Sequence, residues 1–241
     1  MTHVPYYQRI GVPNATPVAL TTYLNRIESF RNPNGSMPET PRFRFPFEPA
    51  PRSAILLDGF RETLKTRVFP GGWCDAAANW NPEALAGPLP RLKALSNRIL
   101  DRELSIPSLE RAVIVLERLS GDWSTGRTLS APDRDFLWQA FRVPIYVQYI
   151  GLGNELLAQE CEALAGAHIC PDAAEFSLAE DGRLTLTPFR NTAFPAMNLL
   201  TGVAADIDDS PCACGKTTPR LRGLRSFVRE RVRTLAAAAA G

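Results

Sequence analysis

The chain has 241 residues, of which 45% are hydrophobic, and a formal charge of +2, enough to bury a core as one domain or as one domain with an appendage. The near-neutral balance argues against a general nucleic-acid binder, and no stretch approaches the roughly 20 apolar residues of a membrane helix. The opening Met1-Thr-His-Val-Pro-Tyr-Tyr7 lacks the charged-then-apolar layout of a secretory signal, so a cytoplasmic protein without membrane contact is expected.

Residues 1–52 are rich in Pro, Asn and Arg. The run Pro38-Glu-Thr-Pro-Arg-Phe-Arg-Phe-Pro-Phe-Glu-Pro-Ala-Pro51 cannot sustain a helix or a central strand, because its prolines lack the backbone donor, so this part reads as an extended arm. Next comes Ala54-Ile-Leu-Leu57 before Asp58-Gly59, which reads either as a buried strand or as the first turn of a helix running to Arg67. Pro70-Gly-Gly-Trp-Cys-Asp75 reads as a turn with a packed ring, and Cys74 has no basic neighbour in sequence to activate it.

Further along, Leu109, Ala112, Val113, Leu116 and Leu119 follow the cap candidate Ser108 at helical spacing, which predicts a helix over 108–119. Pro132 in a first turn, with Phe136, Leu137, Ala140 and Phe141 on one face, predicts a helix over 131–142. Pro144-Ile-Tyr-Val-Gln-Tyr149 then reads as a strand. Residues 155–165 look helix-like and are ended by Gly166. Glu175-Phe-Ser-Leu178 and Arg183-Leu-Thr-Leu-Thr187 alternate apolar and polar residues around Asp181-Gly182, which is hairpin chemistry. From 219 to 241, arginines at 220, 222, 225, 229, 231 and 233 accompany Leu221, Leu224, Val228, Val232 and Leu235 in a stripe that predicts a basic terminal helix. Such a helix would pack on its own domain, on a second copy or on an acidic partner.

The fold class expected from these elements is α/β, with α+β open as the alternative. Three segments are expected: the arm 1–52, a domain 53–218 and the terminal helix 219–241.

Five cysteines is an odd number, and four of them fall between 161 and 214, which suits a metal site in a reducing compartment better than a disulfide framework. Zinc prefers thiolate and imidazole donors in a closed tetrahedron, so Cys161, His168, Cys212 and Cys214 form a chemically suitable set. The tight turn Pro211-Cys-Ala-Cys-Gly215 would aim both sulfurs to one side, and the hairpin at 175–187 would bring the two halves together. Against this stands the plainer reading of buried thiols and a hydrogen-bonded histidine. Cys170, two residues after His168, is either a bystander or a replacement for it; the bystander reading ranks first.

Several of these residues recur in a recognisable order: Tyr149, Glu160-Cys161, Ala167-His168-Ile169, Gly182-Arg-Leu-Thr-Leu-Thr187, Phe194-Pro195, Thr201-Gly202 and Cys212-Ala-Cys-Gly-Lys-Thr-Thr-Pro-Arg220. Over roughly residues 107–222 the chain resembles the phenylacetate-CoA ligase branch of the adenylate-forming enzymes. That resemblance implies a reduced adenylate-forming core carrying a hairpin-borne zinc region. It also implies a structural zinc on the Cys161, His168, Cys212 and Cys214 set. In a working member, ATP with magnesium activates an aromatic carboxylic acid that then passes to coenzyme A. Carried over residue by residue, Tyr149, Gly151, Thr201 and Gly202 become candidates for substrate binding. Glu155, with Gly153 as the alternative alignment, becomes the candidate magnesium-linked catalytic carboxylate.

Departures from the pattern are several. Ser120-Gly-Asp-Trp-Ser-Thr-Gly126 stands nearest to the family's phosphate loop, yet Trp123 and Asp122 oppose an anion cradle. Asn198-Leu-Leu-Thr-Gly-Val203 places Val203 where the resemblance expects an aspartate for the ribose hydroxyls, and valine accepts no hydrogen bond. The chain stops at Gly241, so the lid domain with its catalytic lysine is expected to be missing. Together these make a non-catalytic, zinc-stabilised binding or accessory subunit the expected function. The alternative is an acid-CoA ligase that borrows missing parts from a partner chain.

Overall fold

A computed structural model describes residues 18–19, 40–119, 129–151, 153–189 and 198–227. The chain divides into two compact units. One is formed by Thr40–Arg118 and Leu129–Ala167, the other by His168–Gly241 with Met1–Glu39 and Leu119–Thr128. Its elements are β1 (Val18–Ala19), β2 (Ser53–Ile55), β3 (Thr66–Val68), α1 (Asp75–Trp80), β4 (Ala84–Gly87), α2 (Leu89–Leu100) and β5 (Ala112–Arg118). There follow α3 (Ala131–Phe141), β6 (Ile145–Ile150), β7 (Leu156–Glu160), β8 (Ala167–Ile169), β9 (Ala174–Leu178), β10 (Arg183–Pro188), β11 (Leu199–Asp208) and β12 (Arg220–Ser226).

In the first unit, β3, β2, β4, β5 and β6 lie side by side, all parallel, and β7 returns antiparallel along β6. Parallel strands are covered on both faces and read as continuous apolar runs, and Ala112-Val-Ile-Val-Leu116 is such a run. This overturns the helix expected over 108–119. The i, i+3, i+4 count had passed over Ile114 and Val115, which are as fully buried as Val113, and three consecutive β-branched residues favour the pleat. Of the two readings left open for 53–67, the strand is the one observed, since β2 pairs with β3 and β4.

Alternation decides what each face of this sheet meets. Ala112, Ile114 and Leu116 join Ile55, Ala86, Tyr146 and Ile150 in a core cluster to which Phe43 and Phe60 contribute and no helix does. The proline-rich arm thus covers one face in place of a helix, with Phe47 against Tyr146 and Phe43 edge-on to Phe60. Gln148 lies on the same strand face and is only 1% exposed; its amide donates to the Arg44 carbonyl at 2.7 Å and to Gln159 at 3.2 Å. A polar side chain in an apolar layer must be satisfied, and here it is satisfied by the backbone of the arm.

Helices α2 and α3 pack on each other and against β5 and β6. The expected helix over 131–142 matches α3, whose Ser130 cap accepts from the Asp133 amide at 3.2 Å and donates to its carboxylate at 2.7 Å. Lys93 of α2 adds an ion pair to Asp133 at 2.8 Å, and the Lys93 and Ser130 contacts hold that carboxyl below its ordinary pKa.

The helix-like reading of 155–165 is also overturned. After β6 the chain turns at Gly151, whose amide donates to the Glu155 carbonyl, and Asn154 takes a positive φ of 61°, so 156–160 pairs back on β6 as a strand. Asn154 holds this corner in place. Its amide donates to the Asp58 carbonyl and its oxygen accepts from Arg118, both at 2.8 Å, and a Cβ at Gly59 would collide with it.

The second unit is antiparallel: β12 pairs with β11, β11 with β10 and β10 with β9, while β1 adds a short parallel pairing to β11. The expected hairpin at 175–187 is β9–β10, closed by Gly182 at φ 80°. The basic terminal helix is overturned over 220–226, where β12 runs antiparallel to β11. Its arginines alternate with Leu221 at period two, and Arg220 reaches Asp208 across the pair at 2.6 Å. Residues 228–241 lie outside the described set. Among the described residues no helix is long and apolar enough to cross a membrane.

Replacing Gln148 with Ala should destabilise the protein by about 2 kcal/mol, because it empties a buried site and leaves the Arg44 carbonyl without its donor. Thermal unfolding with limited proteolysis of residues 40–52 checks this; an unchanged melting temperature with an arm no easier to cleave would refute the account.

Candidate metal centre and neighbouring polar groups

The donor cluster is assembled from two turns and a strand. Cys161 directly follows β7, and the Leu164 amide donates to its carbonyl, opening a turn that ends at Gly166 with φ 112°. His168 is the central residue of β8. Cys212 and Cys214 sit in the loop joining β11 to β12, where the Gly215 amide donates to the Cys212 carbonyl and Gly215 takes φ 81°. A side chain there would strain the turn that places two sulfurs side by side. At the base of that loop, Arg220 reaches the Asp208 carboxylate and the Ser210 hydroxyl and carbonyl. The Ile169 amide donates to the Pro219 carbonyl at 2.8 Å, which draws the loop along β8. The β11–β12 hairpin therefore carries the Cys-x-Cys element; β9–β10, expected to close the gap, carries no donor.

One ligand atom from each of Cys161, His168, Cys212 and Cys214 lies within 4.8 Å of every other, and the His168 Nε2 to Cys214 Sγ distance is 3.3 Å. A tetrahedral zinc with ordinary bond lengths needs about 3.5 Å between nitrogen and sulfur and about 3.8 Å between sulfurs. The set fits such an ion with adjustments of an ångström or less. Cys161, His168 and Cys212 are 1%, 3% and 6% exposed, as befits a closed structural site rather than one with an open coordination position. None of the five cysteines is in a disulfide, and Cys170 is not part of the cluster.

His168 also has the outer partner that a metal-ligating imidazole requires. Its Nδ1 lies 3.0 Å from both the carbonyl and the hydroxyl of Thr218. A carbonyl only accepts, so Nδ1 carries the proton, and the lone pair is left on Nε2, which faces the sulfurs. Sequence spacing did not reveal Thr218, because its role depends on β12 running beside β8.

The other candidates fall in two places. Tyr149, Gly151 and Glu155 share the β6–β7 corner at the carboxyl end of the parallel strands, where ligands of open α/β sheets bind. Tyr149 is buried, and that burial pushes its hydroxyl well above the ordinary pKa. The Glu155 carboxyl rests over Gly151 and Gly153, and a Cβ at Gly151 would displace it. Thr201 and Gly202 belong to β11 in the other unit. The Thr201 hydroxyl donates to the Leu184 carbonyl at 2.7 Å. Val203 is fully buried in β11. Ser120–Gly126 lies outside the described residues.

Sequence reading also passed over Glu117, the polar end of β5, paired in register with Tyr149. It is 8% exposed, and burial pushes its carboxyl up to about 8. An acid directly following a five-residue apolar run was the available signal, but the helical reading of 108–119 left Glu117 out of account.

No family model matches the chain, and no curated protein matches it. Solved structures do. An open conformation of 2-hydroxyisobutyryl-CoA ligase in complex with 2-HIB-AMP and CoA superposes with a TM-score of 0.57 at 16% identity, covering 75% of this chain and 45% of the ligase. The same ligase in its postadenylation state with 2-HIB-AMP gives 0.55 at 16%, covering 74% and 44%. Its thioesterification state with 2-HIB-AMP and CoA gives 0.52 at 18%, covering 68% and 38%. The chain thus has a mixed α/β fold like that of an acyl-CoA ligase and spans under half the length of those enzymes.

Purified protein should hold one zinc or cobalt ion per chain by elemental analysis, with cobalt giving thiolate charge-transfer absorption. Cys214→Ser should abolish tight binding, and Thr218→Val should weaken it about 10-fold, the lower end for an outer-shell partner. Metal-free protein with an unchanged melting temperature after chelation would refute the centre.

Proposed function

We propose that this chain is a zinc-stabilised, degenerate relative of the phenylacetate-CoA ligase-type adenylate-forming enzymes, without ATP-dependent ligase activity, acting as a binding or accessory subunit. The observation that carries the reading is Val203. It occupies the place at which the family resemblance expects a ribose-gripping aspartate, and it is buried in β11 with no side-chain group to offer a nucleotide. Losing a hydrogen-bonded carboxylate at such a site weakens nucleotide binding by about 1.5–3 kcal/mol. The Cys161, His168, Cys212 and Cys214 cluster supports the zinc part of the proposal, with the ion acting as a staple for the turns that hold it. The partner in this reading is a second protein or a second copy of the chain, with an aromatic carboxylic acid as the candidate small-molecule ligand.

A second reading is favoured by the β6–β7 corner. Glu155 stands over two glycines at the carboxyl end of β6, beside the buried Tyr149, and the ligases of similar fold bind 2-HIB-AMP and CoA. On this reading the chain is part of an acid-CoA ligase, with Glu155 as the magnesium-linked carboxylate, Tyr149, Gly151, Thr201 and Gly202 lining the substrate site, and the remaining machinery supplied by further polypeptide.

Acid-dependent exchange of pyrophosphate into ATP separates the two. The first reading expects no exchange with any aryl acid and no thermal shift with ATP or AMP. Under the second, a nucleotide at 100 times its dissociation constant adds about 2.7 kcal/mol of stability, and Gly151→Ala, which displaces Glu155, reduces exchange at least 10-fold. Robust exchange by the isolated chain would end the first reading.

A further inference from the structure

We propose that Glu117 is a proton-binding site built into the parallel sheet, carrying its proton in the folded protein so that folding takes up one proton and the stability of this unit depends on pH. The geometry is that of a buried acid with nothing to ionise against. Neither carboxyl oxygen has a hydrogen-bond partner of good geometry among the described residues, and Ala112 to Glu117 are all buried.

The charged groups facing it are all committed elsewhere. From β6 comes Tyr149, its register partner, itself buried. From β7 comes the Glu160 carboxylate, which accepts two contacts from Arg134 at 2.8 and 3.0 Å and one from the Val147 amide at 2.8 Å. From α3 come Asp133, held by Lys93 of α2 and by Ser130, and Arg134, which also donates to the Ile145 carbonyl. The Leu129 amide, just before α3, favours ionisation but does not offset the burial. Ionising Glu117 would add a third carboxylate beside Glu160 and Asp133 without adding a cation. Arg134 would then have to divide itself between Glu117 and Glu160, loosening its hold on β7.

The sign of the effect follows from linkage. The folded-state value of about 8 lies above the ordinary 4.5. The contribution of the neutral acid is therefore complete below about pH 4.5 and is lost progressively as pH rises to about 8, at up to tenfold in the folding equilibrium per pH unit. This inference stands independently of the proposed function and of the metal centre.

Urea unfolding of the wild-type protein as purified and of Glu117→Gln between pH 5 and 8.5 tests it. The amide keeps the shape of the neutral acid and cannot ionise. The ratio of the two unfolding constants should change at least tenfold between pH 5.5 and 7.5, with the variant the more stable of the pair at the alkaline end. Parallel curves would overturn the proposal. Should the variant fail to fold, the Glu117 carboxyl carbon of isotope-labelled wild-type protein, assigned through its own backbone signals, decides. A midpoint above pH 7 supports the site, and a midpoint at or below 7 overturns it.

Discussion

The first unit depends on β5 having no solvent side. Six consecutive residues, Ala112 to Glu117, are buried, with β4 and β6 hydrogen-bonded to either edge, aromatic arm residues on one face and two helices supported on the other. Burial of this kind is favourable for Val113, Ile114 and Val115 and unforgiving for any polar group that shares the strand. The polar groups around it are accordingly specialised. Gln148 is satisfied by the arm backbone, Asp133 by Lys93 and Ser130, Glu160 by Arg134 and Val147, and Glu117 is left to stay neutral. Satisfying three of the four ties the arm, α2, α3 and β7 to one another, so polar satisfaction as well as apolar contact specifies this arrangement.

The second unit solves a different problem. A short antiparallel hairpin loop must hold two thiols close together against an imidazole from another strand, and no apolar core lies within the loop to enforce it. Local turns do this instead. Gly215 in the left-handed region reverses the chain after Cys214, Arg220 clamps Asp208 and Ser210 across the loop base, and Thr218 orients His168. The Ser210 hydroxyl and amide, then Arg222 and the buried Arg220, keep the Asp208 carboxyl well below its ordinary range. A divalent ion bound in such a frame would add to what these turns supply.

Fold likeness to 2-hydroxyisobutyryl-CoA ligase and the donor cluster bear on different questions. The first concerns architecture, shared at 16% identity, a level at which sites diverge while backbones persist. The second concerns chemistry that this chain carries in its own residues. Their conjunction gives the proposed reduced-ligase reading its weight, whereas the proposed loss of catalysis rests on the side chain of a single buried valine.

What could be read from the residues alone was whatever rests on local chemistry. Soft donors at 161, 168, 212 and 214 are legible because thiolate and imidazole announce themselves by type. The hairpin around Gly182 and the helix over 131–142 are legible because Gly182 and Pro132 act on the chain within a turn of themselves. Three segments were misread for one common reason. In 112–118, 156–160 and 220–226 no clean alternation marks a strand, and only pairing partners distant in sequence decide the matter: β4 and β6 for the first, β6 for the second, β11 for the third. The same limit applies to function. Sequence named the four candidate donors, but the tautomer of His168, the anchoring of the arm through Gln148 and the isolation of Glu117 were decided by tertiary structure, because each depends on groups supplied by another part of the chain.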